Sequence, residues 1–391
     1  MITIPKEKNT KEVFCFSQYC YQLLNALTSF YLIFPLIFFS YGWLKQPFSF
    51  ITIFLILCFL IFTSKNIYVI TKKLAKKWLK QKLTFSSVSW IIFSIITITA
   101  WVSLSGIGGI GLQNDDYRAS NALLSDLILQ DWPLISLIDG NITKIVYYMA
   151  YYLPAAAVGK IFGWTIANII IFLWSLVGVF FAFAWFLILS RRVKHVFAIA
   201  SIFCLAGGLD FISVHITKTA PLAWDTHIEI WAKYFQYSSN TTLLYWVPQH
   251  SIPIWLITGM VVGSIRKKRN NNFLGVALAA SILWSPFGLV GIFPYLILGL
   301  AVYSRSINRN LLINKQTIFF NGIAIWLGGI ISLYIMSNNF AFPTTYIWKV
   351  VENNQQLILI LLKFWLVEFG FLASLIIIYL LLNLILDKLN P

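Results

Sequence analysis

The stretch WTIANIIIFLWSLVGVFFAFAWFLILSRR, residues 164–192, decides the class to which this protein belongs. Positions 164–189 carry no charged side chain, and this run is longer than the roughly 20 apolar residues with which an α-helix crosses the hydrocarbon core of a bilayer. Two arginines then close it. A charge-free run of this length predicts a membrane-spanning helix, and the rest of the chain repeats the pattern.

The composition of the whole chain agrees with a membrane protein. Of its 391 residues, 59% are hydrophobic and 11% are charged, and the mean hydropathy is +0.79. These values predict an all-α polytopic membrane protein. The net charge of +16 would suit a protein that binds nucleic acid, but the basic residues stand in short groups between apolar runs, as the positive-inside rule requires. We therefore expect membrane lipids as partners and no nucleic acid.

About ten membrane-spanning helices are expected, because ten apolar runs have a suitable length. The runs are 22–41, 49–70, 87–105, 164–189, 196–213, 250–265, 273–289, 290–304, 317–336 and 358–385. With these spans every basic group lies on one side of the membrane, so both termini are predicted to be cytoplasmic. The outer loops are then 106–163, 214–249 and 337–357. The abundance of Ile, Lys, Asn and Phe favours a bacterial inner (plasma) membrane.

One further apolar run, 142–162, is expected to lie along the outer leaflet as an interfacial helix. Counting it as a span would place the basic groups 191–195 and 266–269 outside the cell. Pro154 interrupts it, and tyrosine side chains prefer the interface between membrane and water. Its tyrosines are Tyr147, Tyr148, Tyr151 and Tyr152.

The first outer loop holds an unusual concentration of acids. It opens with SGIGGIG, 105–111, whose glycines permit tight turns, and continues with the adjacent carboxylates Asp115 and Asp116. Such a pair could act as a general base or hold a divalent cation, Mg²⁺ or Mn²⁺. The following segment predicts an amphipathic helix that lies on the membrane surface. Its apolar stripe is expected at Ala122, Leu123, Leu127 and Ile128.

The second outer loop combines acids, bases and imidazoles. Asp225, His227 and Glu229 alternate in sequence, so an extended segment would place all three on one side, although this spacing is weak evidence for a metal site. Asp210 is expected at the outer end of the fifth span, and His250 where the chain re-enters the membrane. Ionisable groups at such depth indicate function.

Two segments carry a resemblance to a known family. YLPAAAVGKIFG, 152–163, stands where protein mannosyltransferases and aminoarabinose transferases have a proline- and lysine-containing segment that ends in FG, and 164–192 is similar to the helix that follows it. The chain thus resembles the C-type integral-membrane glycosyltransferases over roughly residues 87–192. It differs in having Ala155 where that family has a second proline, and in having two extra helices before the acidic loop.

The resemblance implies two domains and an activity. Residues 1–86 would form an N-terminal cytoplasmic segment with two additional helices, and 87–391 a catalytic membrane module. The activity would be transfer of a hexose or pentose from a polyprenyl-phosphate-linked donor to a lipid, glycan or protein acceptor on the outer face, with Asp115 or Asp116 as the catalytic or metal-binding acid. The donor phosphate is expected to contact Lys144, Lys160, Lys218 and His250. The substrate is expected near Tyr117, Asn121, Asp210, Asp225, His227, Glu229 and Gln249.

Two other functions remain open from the sequence. A transporter or flippase for a lipid-linked or anionic substrate would use the same outer basic residues, but it would also need a polar path through the bilayer. Within the predicted spans Lys363 and Glu368 are essentially the only ionisable groups away from the rims, which is few for a proton relay. Another lipid-dependent transferase would share the loop chemistry and differ in its donor.

Overall fold

A computed structural model describes most of the chain, and it is dominated by α-helices. The described residues are 8–78, 85–138, 141–190, 195–210, 214–215, 228–232, 234–267, 271–304, 315–337, 349, 351 and 354–389. They divide into two compact units, the first formed by 1–204 and 243–339 and the second by 205–242 and 340–391. Each unit is described by itself.

The regular structure of the described residues consists of α-helices, one β-hairpin and the short 3₁₀ helices Ile107–Gly109 and Ile228–Ile230. The helices are α1 Lys8–Ile33, α2 Pro35–Trp43, α3 Phe48–Trp78, α4 Phe85–Leu104, α5 Asp116–Leu129, α6 Leu153–Ser190, α7 Val196–Leu205, α8 Asn240–Trp246, α9 Pro248–Lys267, α10 Leu274–Trp284, α11 Pro286–Ser304, α12 Lys315–Met336 and α13 Asn354–Leu389. The strands β1 Ile135–Ile138 and β2 Asn141–Lys144 pair antiparallel, with Ile135 opposite Lys144.

The protein is an integral membrane protein, but ten spans are not confirmed. Each of the ten predicted runs overlaps a helix, whereas four helical stretches in the described ranges have the length and hydropathy of a span. A fifth results if two stretches that meet at 52° form one broken span. The four are Gln18–Trp43, Phe48–Lys76, Leu153–Ser190 and Lys315–Met336, and the bent pair is Gln355–Gly370 with Ala373–Leu382. Several other runs are divided by breaks, such as the one between Ser285 and Pro286.

The predicted interfacial helix over 142–162 is wrong. Its first residues form strand β2, irregular backbone follows, and a helix begins only at Leu153 and breaks at Gly163, where φ is +81°. Tyr151 and Tyr152 are buried and not in a membrane-surface belt. Burial is favourable because each phenolic group has a hydrogen-bond partner inside the unit. The Tyr151 and Ser175 hydroxyls lie 2.6 Å apart, and the Tyr152 hydroxyl donates to Ser120 Oγ at 3.1 Å.

Helix α6 lies at the centre of the first unit and contacts α1, α4, α5 and α9. Aromatic side chains hold these helices together by hydrogen bonds as well as by packing. Trp185 Nε1 donates to Thr28 Oγ1 at 2.9 Å, and the Tyr31 hydroxyl donates to the Trp174 carbonyl at 3.0 Å. Between membrane helices, close packing and hydrogen bonds are the main attractive forces, because lipid tails are as apolar as the side chains.

Candidate functional site

The glycine-rich turn after α4 fixes the entry to the site. Gly106, Gly108 and Gly109 all have positive φ, between +68° and +86°, so the predicted tight turns are present. A side chain at Gly108 would also collide with α6, since its Cβ would overlap the carbonyl oxygen of Asn168. Only glycine permits both the left-handed backbone and this close contact. The turn therefore packs the start of the first outer loop against α6.

The acid pair stands at the start of α5, and Asn114 anchors it. The Asn114 side chain accepts a hydrogen bond from the Asp116 N–H at 3.1 Å and donates one to the Tyr245 carbonyl at 2.8 Å. Tyr245 lies three residues before Pro248, the first residue of α9. Asn114 thus links the acids to the N-terminal end of α9, a connection between distant parts of the sequence.

The two acids have different surroundings. Asp115 is largely exposed and forms an ion pair with Arg118, with 3.5 Å between Arg118 Nη2 and Asp115 Oδ1. A surface pair of this kind contributes about 0 to 1 kcal/mol. Asp116 is also exposed, yet it lies close enough to Tyr147 for its charge to act on that phenol. Burial, then Tyr148, and to a smaller extent Asp116 raise the pKa of Tyr147 above its usual range.

Helix α5 is amphipathic as predicted, but its buried face differs from the predicted stripe. Tyr117, Leu124 and Leu127 are buried, whereas Ala122 is exposed. Tyr117 determines the orientation of α5, because its hydroxyl donates a hydrogen bond to the Ser105 carbonyl at 2.9 Å. This bond satisfies a buried polar group. Asn121 Nδ2 donates to Gln113 Oε1 at 2.9 Å on the side of the helix that faces the glycine turn.

Tyr334 holds the segment between β2 and α6 in place. Its hydroxyl accepts a hydrogen bond from the Tyr147 N–H at 3.0 Å and donates one to the Tyr147 carbonyl at 3.1 Å. The ring of Tyr147 contacts that of Tyr148, with 3.8 Å between centroids, and Tyr148 lies 4.7 Å from the ring of His250. Tyr147, Tyr148 and His250 therefore form one continuous set of aromatic rings.

His250 has a polar partner that was not predicted from the sequence. Its Nδ1 lies 2.8 Å from Ser285 Oγ, and its ring lies 5.9 Å from that of Phe287. Ser285 occupies the break between α10 and α11, immediately before Pro286. The Ser-Pro dipeptide was the available signal, because the residue before proline disfavours the helical conformation. Gln249 is buried beside His250, and its Oε1 has no hydrogen-bond partner in the described part of the chain.

An apolar groove leads away from this polar group. It has a volume of about 350 Å³ and lies between α9 and α11. On α9 its lining residues recur every four positions from His250 to Thr258, which corresponds to about 12 Å of helix. Gly288 lets the two helices approach each other, and Gly291 leaves the groove open, with no atom within 4 Å of the position of its Cβ. The lining residues are His250, Ile254, Thr258, Ser285, Phe287, Gly288, Gly291, Ile292 and Tyr295.

The predicted phosphate-binding lysines do not join the acids. Lys160 donates a hydrogen bond to the Gln130 carbonyl and lies over the ring of Trp132, 5.1 Å from its centroid. These residues follow the C-terminal end of α5, and the acids stand at its N-terminal end, about 20 Å away along 14 residues. Lys144 lines a different cleft of about 330 Å³ together with Lys45.

The second unit contains another group of acids, only part of which the sequence analysis anticipated. Glu229 lies in a short 3₁₀ turn and not in the predicted extended segment, and its carboxylate accepts hydrogen bonds from the Ser239 N–H at 3.1 Å and the Thr242 hydroxyl at 2.6 Å. Glu368 accepts from Trp231 Nε1 at 2.7 Å and from the Leu209 N–H at 2.9 Å. Lys218, Asp225 and His227 lie outside the described residues.

Asp210 is buried in the same unit, and one of its oxygens, Oδ1, has no hydrogen-bond partner there. Burial, followed by the neighbouring Glu368, raises the pKa of Asp210 to about 7. Glu229 adds to the same effect. The surroundings of Asp210 therefore favour the protonated form of its carboxyl group.

The described residues do not by themselves form a metal site. Among them, no group of three or more His, Cys, Asp or Glu side chains is arranged to hold a metal ion. At the start of α5 only two acids stand together, and Asp115 is paired with Arg118. A divalent cation at Asp115 and Asp116 stays a prediction.

Comparison with known proteins gives no match. None of the protein-family models, curated proteins or solved structures compared with this chain matches it.

Proposed function

We propose that the protein is a membrane glycosyltransferase, which moves a sugar from a polyprenyl-phosphate-linked donor to a lipid, glycan or protein acceptor. The groove between α9 and α11 is the main support, because an apolar channel ends at a polar group formed by His250, Ser285 and Tyr148. A donor with a long hydrocarbon chain and a phosphate head has the same division between apolar and polar parts.

In this proposal the groove binds the hydrocarbon chain of the donor, and the polar end of the groove binds the phosphate. The isoprenoid chain lies along α9 and α11, where it replaces lipid tails and is held by close packing against the apolar side chains of the groove. The phosphate lies at the polar end, where the Ser285 hydroxyl and the phenol of Tyr148 can donate hydrogen bonds to its oxygens. Lys144 and Lys160 lie elsewhere, so their predicted contact with the donor phosphate is not part of this arrangement.

Asp116 is the proposed general base. It takes the proton of the acceptor hydroxyl while the hydroxyl oxygen bonds to the anomeric carbon of the sugar. The bond between that carbon and the phosphate oxygen breaks, and its electron pair leaves with the phosphate. A positioned general base contributes about 10²- to 10⁴-fold to the rate. Asp116 is preferred to Asp115 because Asp115 is engaged by Arg118, whereas Asp116 lies near Tyr147.

The proposed location follows from the distribution of charge. The basic groups would face the cytoplasm with both termini, and the acids at the start of α5 would face outward, in a bacterial inner membrane. In this orientation His250 and Ser285 lie at the outer end of the groove, since α9 continues from His250 toward the basic residues Arg266 and Lys267.

A transfer assay with variants of the acids tests the proposed chemistry. The protein is reconstituted in nanodiscs and supplied with radiolabelled polyprenyl-phosphate sugars, and label in acceptor lipid, glycan or protein is measured. Asp116→Asn is expected to lose about 10²- to 10⁴-fold in rate. Asp131→Asn, an exposed acid beyond α5, is the matched control and should keep its activity. Full activity of both Asp116→Asn and Asp115→Asn would contradict the proposed chemistry.

Variants of Gly291 test the groove separately from the chemistry. A leucine at this position would fill the open part of the groove, while an alanine adds only one methyl group. Gly291→Leu is expected to raise KM for donors with long isoprenoid chains and to affect short-chain donors less. An equal change in KM for long-chain and short-chain donors would show that the isoprenoid chain binds elsewhere.

A second candidate function is supported by the acids of the second unit. Asp210 and Glu368 are buried and interact with each other, as expected of a proton-carrying site in a transporter or flippase. Proton-coupled movement of a labelled lipid-linked sugar across vesicles, lost in Asp210→Asn, would favour this function. Transfer activity that survives in Asp210→Asn would favour the glycosyltransferase.

A further inference from the structure

A second cavity lies at the opposite end of the first unit from the acid pair. It has a volume of about 330 Å³, within the range of small-molecule sites, and is formed by α1, α3, the connection before α10 and the start of α12. Most of its polar lining consists of side-chain amides. The amides are Gln18, Gln22, Asn25, Asn66, Asn271, Asn272 and Gln316.

Part of this amide set builds the wall of the cavity. Asn25 is 2% exposed, its Nδ2 donates to the Tyr21 carbonyl at 2.8 Å, and its Oδ1 accepts from Asn271 Nδ2. Asn272 Oδ1 accepts from the Thr317 hydroxyl at 3.0 Å. These bonds fix the orientation of the two connecting asparagines, so the wall is ordered before a ligand binds.

Other amides have unused hydrogen-bonding capacity. Gln18, Gln22 and Asn66 line the cavity, and within the described residues their side chains have no hydrogen-bond partner. An amide group offers two donors and an acceptor with two lone pairs. The three side chains can therefore bind several hydroxyl groups or phosphate oxygens of a ligand.

The cavity has one cation and no acid among its lining residues. Lys73 contributes the cation, and its Nζ lies 5.8 Å from the centroid of the Tyr19 ring. The flanking sequence adds positive charge, because α3 leads into the basic segment 72–82 and the basic group 266–269 comes just before Asn271. This field attracts anions, and it is typical of the membrane side that binds anionic lipids.

Apolar residues complete the wall on the side of α3. Val69, which is 47% exposed, Ile70 and Phe273 line the cavity beside the amides. A free sugar phosphate would leave this surface in contact with water, whereas a phospholipid would cover it with its glycerol backbone and the start of its acyl chains. The combination of amides, a lysine and an apolar side therefore matches a lipid better than a soluble anion.

We propose that this cavity binds the headgroup of an anionic phospholipid that carries free hydroxyl groups, of the phosphatidylglycerol type. The phosphate lies against Lys73, and the headgroup hydroxyls bond to the amides of Gln22 and Asn66. The bound lipid would contact both α1 and α3. The shared chemistry, a phosphate next to hydroxyl groups, also occurs in soluble glycerol 3-phosphate, so the test must separate these sources.

The test is native mass spectrometry of the full chain, released from detergent micelles with phosphatidylglycerol, phosphatidylcholine or glycerol 3-phosphate. We expect bound phosphatidylglycerol at lower concentration than phosphatidylcholine and no bound glycerol 3-phosphate. Lys73→Met and Asn66→Leu should each weaken phosphatidylglycerol binding about 10-fold, since charge-assisted and neutral hydrogen bonds of this kind are lost. Lys65→Met, on the same helix but outside the cavity, is the matched control.

Three results would overturn this inference. Equal binding of the two lipids would remove the role of the headgroup, and strong binding of glycerol 3-phosphate would make the ligand a soluble anion. Unchanged binding in both Lys73→Met and Asn66→Leu would place the lipid elsewhere. Unfolding temperatures of all variants are measured in parallel, and only variants within about 2 °C of the wild type are compared.

Discussion

Gly259 of α9 lies directly against the indole of Trp185 on α6. A Cβ at Gly259 would come within 2.7 Å of Cβ of Trp185, closer than two carbon atoms can approach without contact strain. Because both residues belong to the centre of the first unit, neither can move away without cost. Gly259→Ala is expected to destabilise the protein by about 1 to 3 kcal/mol through overpacking.

Thermal unfolding in detergent, followed by differential scanning fluorimetry, measures this effect. The matched control is Gly322→Ala on α12, where no atom lies within 4 Å of the new methyl group. The control should unfold at the wild-type temperature or higher, since alanine favours helix over glycine. Equal unfolding temperatures for Gly259→Ala and Gly322→Ala would disprove the close contact.

The hydrogen bond between Trp185 and Thr28 is expected to contribute about 0.5 to 1.5 kcal/mol. Trp185→Phe removes the donor, and Thr28→Val removes the acceptor while preserving shape. A double-mutant cycle isolates their interaction, because the combined variant lacks both partners. The double variant should be more stable than the sum of the single losses predicts. Strict additivity would mean that the two groups do not interact.

Ser285→Ala tests the partner of His250. Loss of the hydroxyl leaves Nδ1 of His250 without its 2.8 Å contact and removes one proposed donor to the phosphate. In the transfer assay KM for the donor should rise about 10-fold, and kcat should change little. Ser281→Ala on α10 is the control, because among the residues that the structure describes its hydroxyl bonds only to the local Leu278 carbonyl. A loss confined to kcat would instead indicate a role of Ser285 in the chemical step.

The raised pKa of Asp210 predicts that the stability of the protein depends on pH. Its pKa rises from 3.8 to about 7 on folding, so between these values the folded protein keeps a proton that the unfolded chain has released. Its contribution to stability is therefore full below about pH 4 and is lost as the pH rises to about 7. Asp210→Asn should remove this decline, because the amide does not titrate.

The measurement is the unfolding temperature of wild type and Asp210→Asn in detergent between pH 4 and pH 8. The difference between the two proteins should change across this interval and become constant above about pH 7. Asp131→Asn, an exposed acid of the first unit, should follow the wild type. Parallel curves for wild type and Asp210→Asn would show that Asp210 does not bind a proton on folding. Glu368 and Glu229 are the charged neighbours that remain in both proteins.

A single sequence was enough to assign the protein to the helical membrane proteins and to place a helix on each of the ten apolar runs. Long charge-free runs such as 164–189 can satisfy their backbone in lipid only as helices, so each predicted run overlaps a helix. Amphipathic α5 followed from its periodicity, and the turn after α4 from its glycines. These features depend on neighbouring residues alone, and a single sequence contains that information.

Contacts between residues that are distant in sequence depend on the tertiary structure. The tyrosines of 147–152 have a composition that fits a membrane surface, yet Tyr151 and Tyr152 are buried because Ser175 and Ser120 provide partners. Asn114 forms a hydrogen bond with Tyr245, and His250 lies within hydrogen-bond distance of Ser285. These partners are far apart in sequence, so no local pattern predicts their contact. Whether a polar side chain is buried, paired or exposed depends on such distant partners, since the cost of burial is removed only where a hydrogen bond is formed. For this reason the groove between α9 and α11, and the approach of Glu368 to Asp210, became visible only in the folded chain.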